Sequence, residues 1–237
     1  MIRCELSDEF FEALGEPKPG KPFDLLDAYR FDLCYRQLCL GSVLDVGAYF
    51  GDFLMLARKD GREVFGTEVN IARVNLVNSI LGDDIVMMDF RNGYLKQFQN
   101  SSVDNVVCME TVEHVSDDQL AVSELCRVAH TKVVITVPFR EHIQTVLCMH
   151  CNKYTPYSGH QHTYDLGTFL DLVPAGWRVT KELPFAKRLT GIFGHRLPKS
   201  GAGISILRLV LSTFMCKFLI GQFFKEWQVV MHFSYRV

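Results

Sequence analysis

Several absences narrow the reading before any motif is found. There is no G-x-G-x-x-G loop anywhere in the 237 residues, which argues against a dinucleotide site and leaves a hydride-transfer enzyme a weak rival. No internal repeat and no low-complexity tract occurs. With 48% apolar and 22% charged residues, a disordered chain, a collagen-like chain and a tiny disulfide scaffold are all excluded. The stretch Met1 to Phe11 holds Asp and Glu and has no apolar run, so no secretory signal is expected. The eight cysteines, at positions 4, 34, 39, 108, 126, 148, 151 and 216, then read as thiols and a metal pair rather than four bridges, and the expected location is cytoplasmic. Acidic residues nearly vanish after position 177. Only Glu182 and Glu226 stand there against ten Lys and Arg, so residues 178–237 carry +8 and the first 177 carry −10. That split implies a basic element that meets an anionic partner or a membrane surface.

Apolar material, by contrast, is ample, and the length suits one large domain or two small ones. Residues 1–40 read as a polar arm with Pro17, Pro19 and Pro22, then a helix over 23–40 that stops at Gly41. An alternation follows. Strands are predicted at 42–46, 63–67, 85–88, 103–109 and 132–137, with helices at 52–58, 71–81 and 117–128. Pro138 is expected to end the fifth strand. Strands alternating with helices imply an α/β fold, a doubly wound and mostly parallel sheet with helices on both faces. Further on, 166–173 reads as a helix, 177–183 as a strand, 184–202 as loop and 228–236 as a terminal strand.

Open sheets of this kind bind ligands beyond the carboxyl ends of their strands. The first strand end reads Leu44-Asp45-Val46-Gly47-Ala48-Tyr49-Phe50-Gly51, with glycines for a tight turn and a close backbone approach. The second ends at Glu68, 23 positions after Asp45, where a carboxylate can accept two hydrogen bonds from a ribose. The third gives Asp89-Phe90, suited to an adenine amine beside a ring. The fourth gives Met109-Glu110, followed by Glu113-His114-Val115. Plainer roles exist for some of these. Asp45 also suits a turn cap, Glu68 a helix cap, and Glu113 and His114 structural positions.

In this ordered set the sequence resembles the class I S-adenosylmethionine-dependent methyltransferases, over roughly residues 40–183. The Glu113-His114-Val115 segment with the later Arg127-Val128 is typical of the small-molecule branch. The resemblance implies a Rossmann-like, seven-stranded sheet with one antiparallel C-terminal strand. It implies that Gly47 to Gly51 wraps the methionine part of the cofactor. Glu68 would hold its ribose, Asp89 and Phe90 its adenine, and Met109 and Glu110 would flank the sulfonium. The family's middle loop glycine is Tyr49 here, a side chain that would cover or narrow the pocket. The segment Met109-Glu110-Thr111-Val112 departs from the Asn/Asp-Pro-Pro-aromatic pattern of adenine methylation, so nucleic-acid substrates are disfavoured. The acceptor is expected to be a small molecule, a sugar or a lipid-like compound methylated at oxygen. His114 and His160 are then the candidate bases. A non-catalytic binding or scaffold protein on the same fold is the alternative.

Two segments lie outside these motifs. An insert at 148–162 holds Cys148, His150, Cys151, His160 and His162. The pattern has the ligand types of a structural zinc site, with Cys148, Cys151 and His160 joined by His162 or His150. Reduced thiols and a disulfide remain the alternatives. Related methyltransferases carry a Gly-His segment here that lines the acceptor pocket, which would make His160 a base rather than a ligand. The third domain-level segment, 184–237, contains the apolar run 204–224 with only Arg208 and Lys217 charged. It reads as a helix buried in the fold or in a homodimer contact. Peripheral membrane contact or a span is the alternative.

Overall fold

The computed structural model describes residues 25–82, 85–87, 90, 92–149, 151–185 and 228–236. Helix α1 (Leu25–Tyr35) leads into strand β1 (Val43–Val46). Then come α2 (Asp52–Lys59), β2 (Val64–Glu68), α3 (Ile71–Leu81), β3 (Ile85–Met87), β4 (Val103–Met109), α4 (Asp118–Val128) and β5 (Ala129–Phe139). A hairpin, β6 (Thr145–Leu147) and β7 (Tyr154–Pro156), precedes α5 (Thr168–Leu172), β8 (Trp177–Phe185) and β9 (Gln228–Arg236). The main sheet runs β3-β2-β1-β4-β5-β9-β8. Its first five strands pair in parallel, and β9 runs antiparallel between β5 and β8. This is the expected doubly wound, seven-stranded sheet.

Two apolar layers cover it, and the strands feed both by alternation. On β4, Val106 and Cys108 face one cluster with Ala121, Val122 and Leu125 of α4, while Val107 faces the other with Phe53, Leu54, Val74 and Val77. The chain therefore builds β1 to β3 with α2 and α3 on one face. It then crosses to build β4 and β5 with α4 on the opposite face. The reversal falls between β1 and β4, where this architecture opens a crevice.

Local chemistry sets the helix starts. The Asn70 side chain accepts from the N–H groups of Ala72 and Arg73 and so caps α3, and Asp117 accepts from Leu120 at the start of α4. Glu68 is not the cap of α3. Helix α1 stops short of the expected Leu40 because Gln37 and Leu38 donate to the carbonyls of Cys34 and Tyr35, one residue nearer than an α-helix requires. Strand β5 runs past Pro138 to Phe139, because its pairing with β4 has already ended at Thr136 and β9 continues to partner it. The segments 1–24 and 186–227, including the apolar run 204–224, lie outside the described residues. No described helix is long and apolar enough to cross a membrane.

Leu125 is wholly buried between α4 and the sheet. Leu125→Ala is expected to lower unfolding free energy by about 2–5 kcal/mol, read as a reduced urea midpoint at unchanged slope.

Candidate active site at the strand ends

The first strand end turns sharply. The N–H groups of Gly47 and Ala48 both donate to the Thr67 carbonyl, at 3.0 and 2.8 Å. Gly47 has φ 81° and a Cβ there would collide with Thr111 Oγ1, while Gly51 has φ 72° and a Cβ would stand 2.6 Å from Val77. Glycine is thus required at both positions by dihedral and by space. Tyr49, between them, takes a left-handed φ of 53°. Its ring packs on Phe50 with centroids 4.1 Å apart, and the Arg73 guanidinium lies 4.2 Å from its centroid.

Glu68 ends β2 and is buried. Its Oε2 accepts from the Tyr49 N–H at 3.0 Å, and its Oε1 accepts from the Asn70 N–H at 2.9 Å. Arg73 Nη1 stands 3.5 Å from the same Oε1. One carboxylate thereby ties the glycine loop to the start of α3. Arg73 is a residue sequence reading missed, and its only signal is its place one helical turn after Glu68. Asp45 is 2% exposed with Oδ1 unpartnered. Burial, helped by the Glu68 charge, raises its pKa from 3.8 to about 7. Phe90 is 3% exposed within the α4-side core. Asp89 lies outside the described residues.

A second group of titratable residues gathers past β4 and β5. Met109 is half-buried at the end of β4 and packs against the α2–α3 face. Glu110 follows with a left-handed φ of 51°, and Thr136 donates to its Oε1 at 3.0 Å. Arg140, just past β5, is left-handed too, at 52°. Three non-glycine residues in this region therefore sit at the ends of β1, β4 and β5, a clustering typical of functional sites. Glu113 is fully buried on a 3-10 turn over 112–114, and neither carboxylate oxygen has a hydrogen-bond partner. Burial pushes the carboxyls of Glu110 and Glu113 up, and each is close to other carboxylates. Burial and the His160 ring lower the His114 pKa to about 4, so His114 is a weak base. The two rings meet edge to face with centroids 4.7 Å apart.

His160 Nδ1 donates to Glu141 Oε2, and its Nε2 stands 4.0 Å from Glu113 Oε1. Gln161 holds this loop to the turn, its N–H donating to the Glu113 carbonyl and its side chain to the His114 carbonyl, both at 2.7 Å. His162 Nε2 donates to the Val115 carbonyl at 2.7 Å, with Asp118 3.4 Å from Nδ1. These contacts correct the expected zinc set. Cys148, Cys151, His160 and His162 are not brought together, because His160 is bonded to Glu141 and His162 to the Val115 carbonyl while the cysteines sit on the β6–β7 hairpin loop. Cys148 and Cys151 are not disulfide-bonded either, and His150 lies outside the described residues. Among the described residues, the group whose ligand atoms fall within 4.8 Å of one another is Glu113, His114 and His160.

Residues 44–137 match the family model of a methyltransferase domain. These residues carry a methyltransferase domain. Solved structures agree on the fold. An S-adenosylmethionine-dependent methyltransferase from Archaeoglobus fulgidus is 18% identical with TM-score 0.57, covering 97% of this chain and 95% of that one. The cyclase SpnF is 15% identical with TM-score 0.60, covering 92% and 84%. A geranyl diphosphate C-methyltransferase from Streptomyces coelicolor is 14% identical with TM-score 0.58, covering 90% and 78%. No curated protein matches the chain.

Within this domain the Glu124 and Arg127 pair is architectural. Arg127 bonds Glu124 at 2.7 Å and the carbonyls of Phe98 and Leu95, fastening the loop after Phe90 to α4. Glu113 and Glu141 are the functional candidates that sequence reading undervalued. Their signals were adjacency to His114 and position two residues beyond β5.

A carboxyl whose folded pKa exceeds its unfolded one favours the fold at low pH and loses that contribution as pH rises. For Asp45 the loss runs from about pH 4 to about pH 7. Asp45→Asn is therefore expected to be more stable than the parent at pH 8, by at most about 4 kcal/mol, and similar near pH 4. Urea unfolding at both pH values checks this. An equal difference at both would show that Asp45 does not titrate with the fold.

Proposed function

We propose that this methyltransferase transfers a methyl group to an oxygen of a small, anionic acceptor such as a sugar or lipid-like compound. The observation that carries the donor half is the Glu68 carboxylate at the end of β2, facing the Gly47–Gly51 turn. S-adenosylmethionine fits this cradle: the tight turn that Gly47 and Gly51 allow sets the loop beside Glu68, and Glu68 can accept from a ribose diol. When bound, it supplies an electrophilic methyl on a sulfonium. The chain's own residues align the partners and exclude water. Arg73 and the Tyr49 N–H must share or release Glu68 for the ribose to engage it.

For the acceptor half, His160 is the better base. Its Nδ1–H is held by Glu141, which leaves the Nε2 lone pair to receive a proton. The anionic character rests on the +8 C-terminal region. Phe185 and Gln228 bracket the segment carrying Lys187, Arg188, Arg196 and Lys199, and Gln228 pairs with Phe139 at the carboxyl end of β5. The described residue Gln228 that follows this segment thus sits at the carboxyl end of β5, on the side of the site. Its run 204–224 is proposed as a membrane-surface or homodimer contact that keeps such an acceptor close. Flotation with anionic liposomes tests the first, and a protein that stays at the bottom of the gradient rejects it.

A second reading, a non-catalytic binding protein, is favoured by one observation: both Glu68 oxygens already have partners. Isothermal titration with S-adenosylhomocysteine separates the two. Saturable binding that weakens on the order of 100-fold in Glu68→Ala supports the ribose assignment. No binding by either S-adenosylhomocysteine or S-adenosylmethionine sinks the enzymatic reading, and turnover of any acceptor removes the second.

A further inference from the structure

The buried Glu113 is the unusual group of the molecule. Its carboxyl is sealed from solvent with both oxygens unpartnered, a costly arrangement unless something else satisfies it. It is not displaced rubbish of a loose loop. The Gln161 clamp fixes the backbone of both Glu113 and His114. The ring of His160 turns its Nε2 toward Glu113 Oε1 at 4.0 Å. That is too long for a hydrogen bond. It is the separation of two atoms that share one ion, since ligands each about 2.1 Å from a metal stand roughly 3–4 Å apart. His114 completes a set of three within 4.8 Å. Behind His160, Glu141 takes the Nδ1 proton. A carboxylate behind a histidine is how metal-bound imidazoles are oriented and made better donors.

We propose that Glu113, His114 and His160 bind one divalent transition-metal cation, with Glu141 as the positioning residue for His160. Two imidazoles and one carboxylate suit manganese, iron, cobalt or zinc better than the all-oxygen ions magnesium and calcium. Three protein ligands leave coordination positions open, and the site lies three residues past Glu110 at the strand-end crevice. An acceptor that presents an oxygen to those positions is drawn to the donor side. This last point rests on methyl transfer to oxygen. A cation on the His160 Nε2 lone pair displaces it as base, so with the site loaded the acceptor hydroxyl loses its proton to solvent instead, the oxygen forms the new bond to the methyl carbon, and the carbon–sulfur bond breaks with its pair kept by sulfur. Metal binding itself stands without that reading.

The test uses the full chain, stripped with chelator and titrated with manganese(II), cobalt(II) or zinc(II) alone. Calorimetry gives stoichiometry, and cobalt(II) visible absorption reports ligand type. One cation per chain, bound below millimolar concentration, is expected. Glu113→Gln and His160→Asn should each weaken it more than about tenfold, and Glu141→Gln by about tenfold. S-adenosylhomocysteine affinity should stay unchanged in all three. If Glu113→Gln fails to fold by circular dichroism, His160→Asn carries the comparison. No binding by the parent chain overturns the proposal. So does a cation lost in Cys148→Ser but kept in His160→Asn, with a thiolate-to-cobalt charge-transfer band. Metal binding without S-adenosylhomocysteine binding would keep the site and reject methyl transfer.

Discussion

Parallel pairing forces successive strands out of the sheet at one edge, and everything functional here follows from that edge. Strands β1, β2, β4 and β5 all exit together, so Gly47, Glu68, Glu110 and Arg140 line one edge of the sheet although 93 positions separate the first from the last. The reversal between β1 and β4 opens the crevice between them. Glu68 then stitches its wall. A single carboxylate joins the glycine turn to the start of α3, and backbone N–H donors satisfy it on both sides. Charge-assisted bonds of this sort are stronger than neutral ones, and burial keeps water from competing.

The same edge carries charge that burial makes expensive. Asp45, Glu110 and Glu113 are all raised in pKa, first by loss of solvent. Only some find hydrogen bonds within the chain. Glu110 has Thr136, and Glu68 has two amides, whereas Glu113 has none. A fold does not gather unsatisfied carboxylates in its interior for stability.

The fold was legible because its signals are local and periodic. Strand residues that alternate between two cores, glycine at sterically closed positions 47 and 51, and a capped helix at Asp117 all show in the sequence. Glu68 was legible for the same reason, being a strand end at a fixed distance from the first turn. What sequence could not give was pairing across space. Cys148, Cys151, His160 and His162 are close in the chain, yet both histidines turn inward to Glu141, Glu113, Val115 and Asp118. The burial of Phe90 was equally hidden, because the loop after it is drawn onto α4 by Arg127 through the carbonyls of Leu95 and Phe98. Arg73 was invisible, since nothing in a helix interior announces which face meets a carboxylate.

The β6–β7 hairpin stands on two fixed feet. Glu141 is held below it through His160, and Thr163 donates to the Glu141 carbonyl from the returning strand. Between those feet the hairpin is largely exposed, with Tyr154, Leu147 and Met149 turned outward. Its tip residues can therefore be exchanged without disturbing the Glu141–His160 contact or the Gln161 clamp beneath.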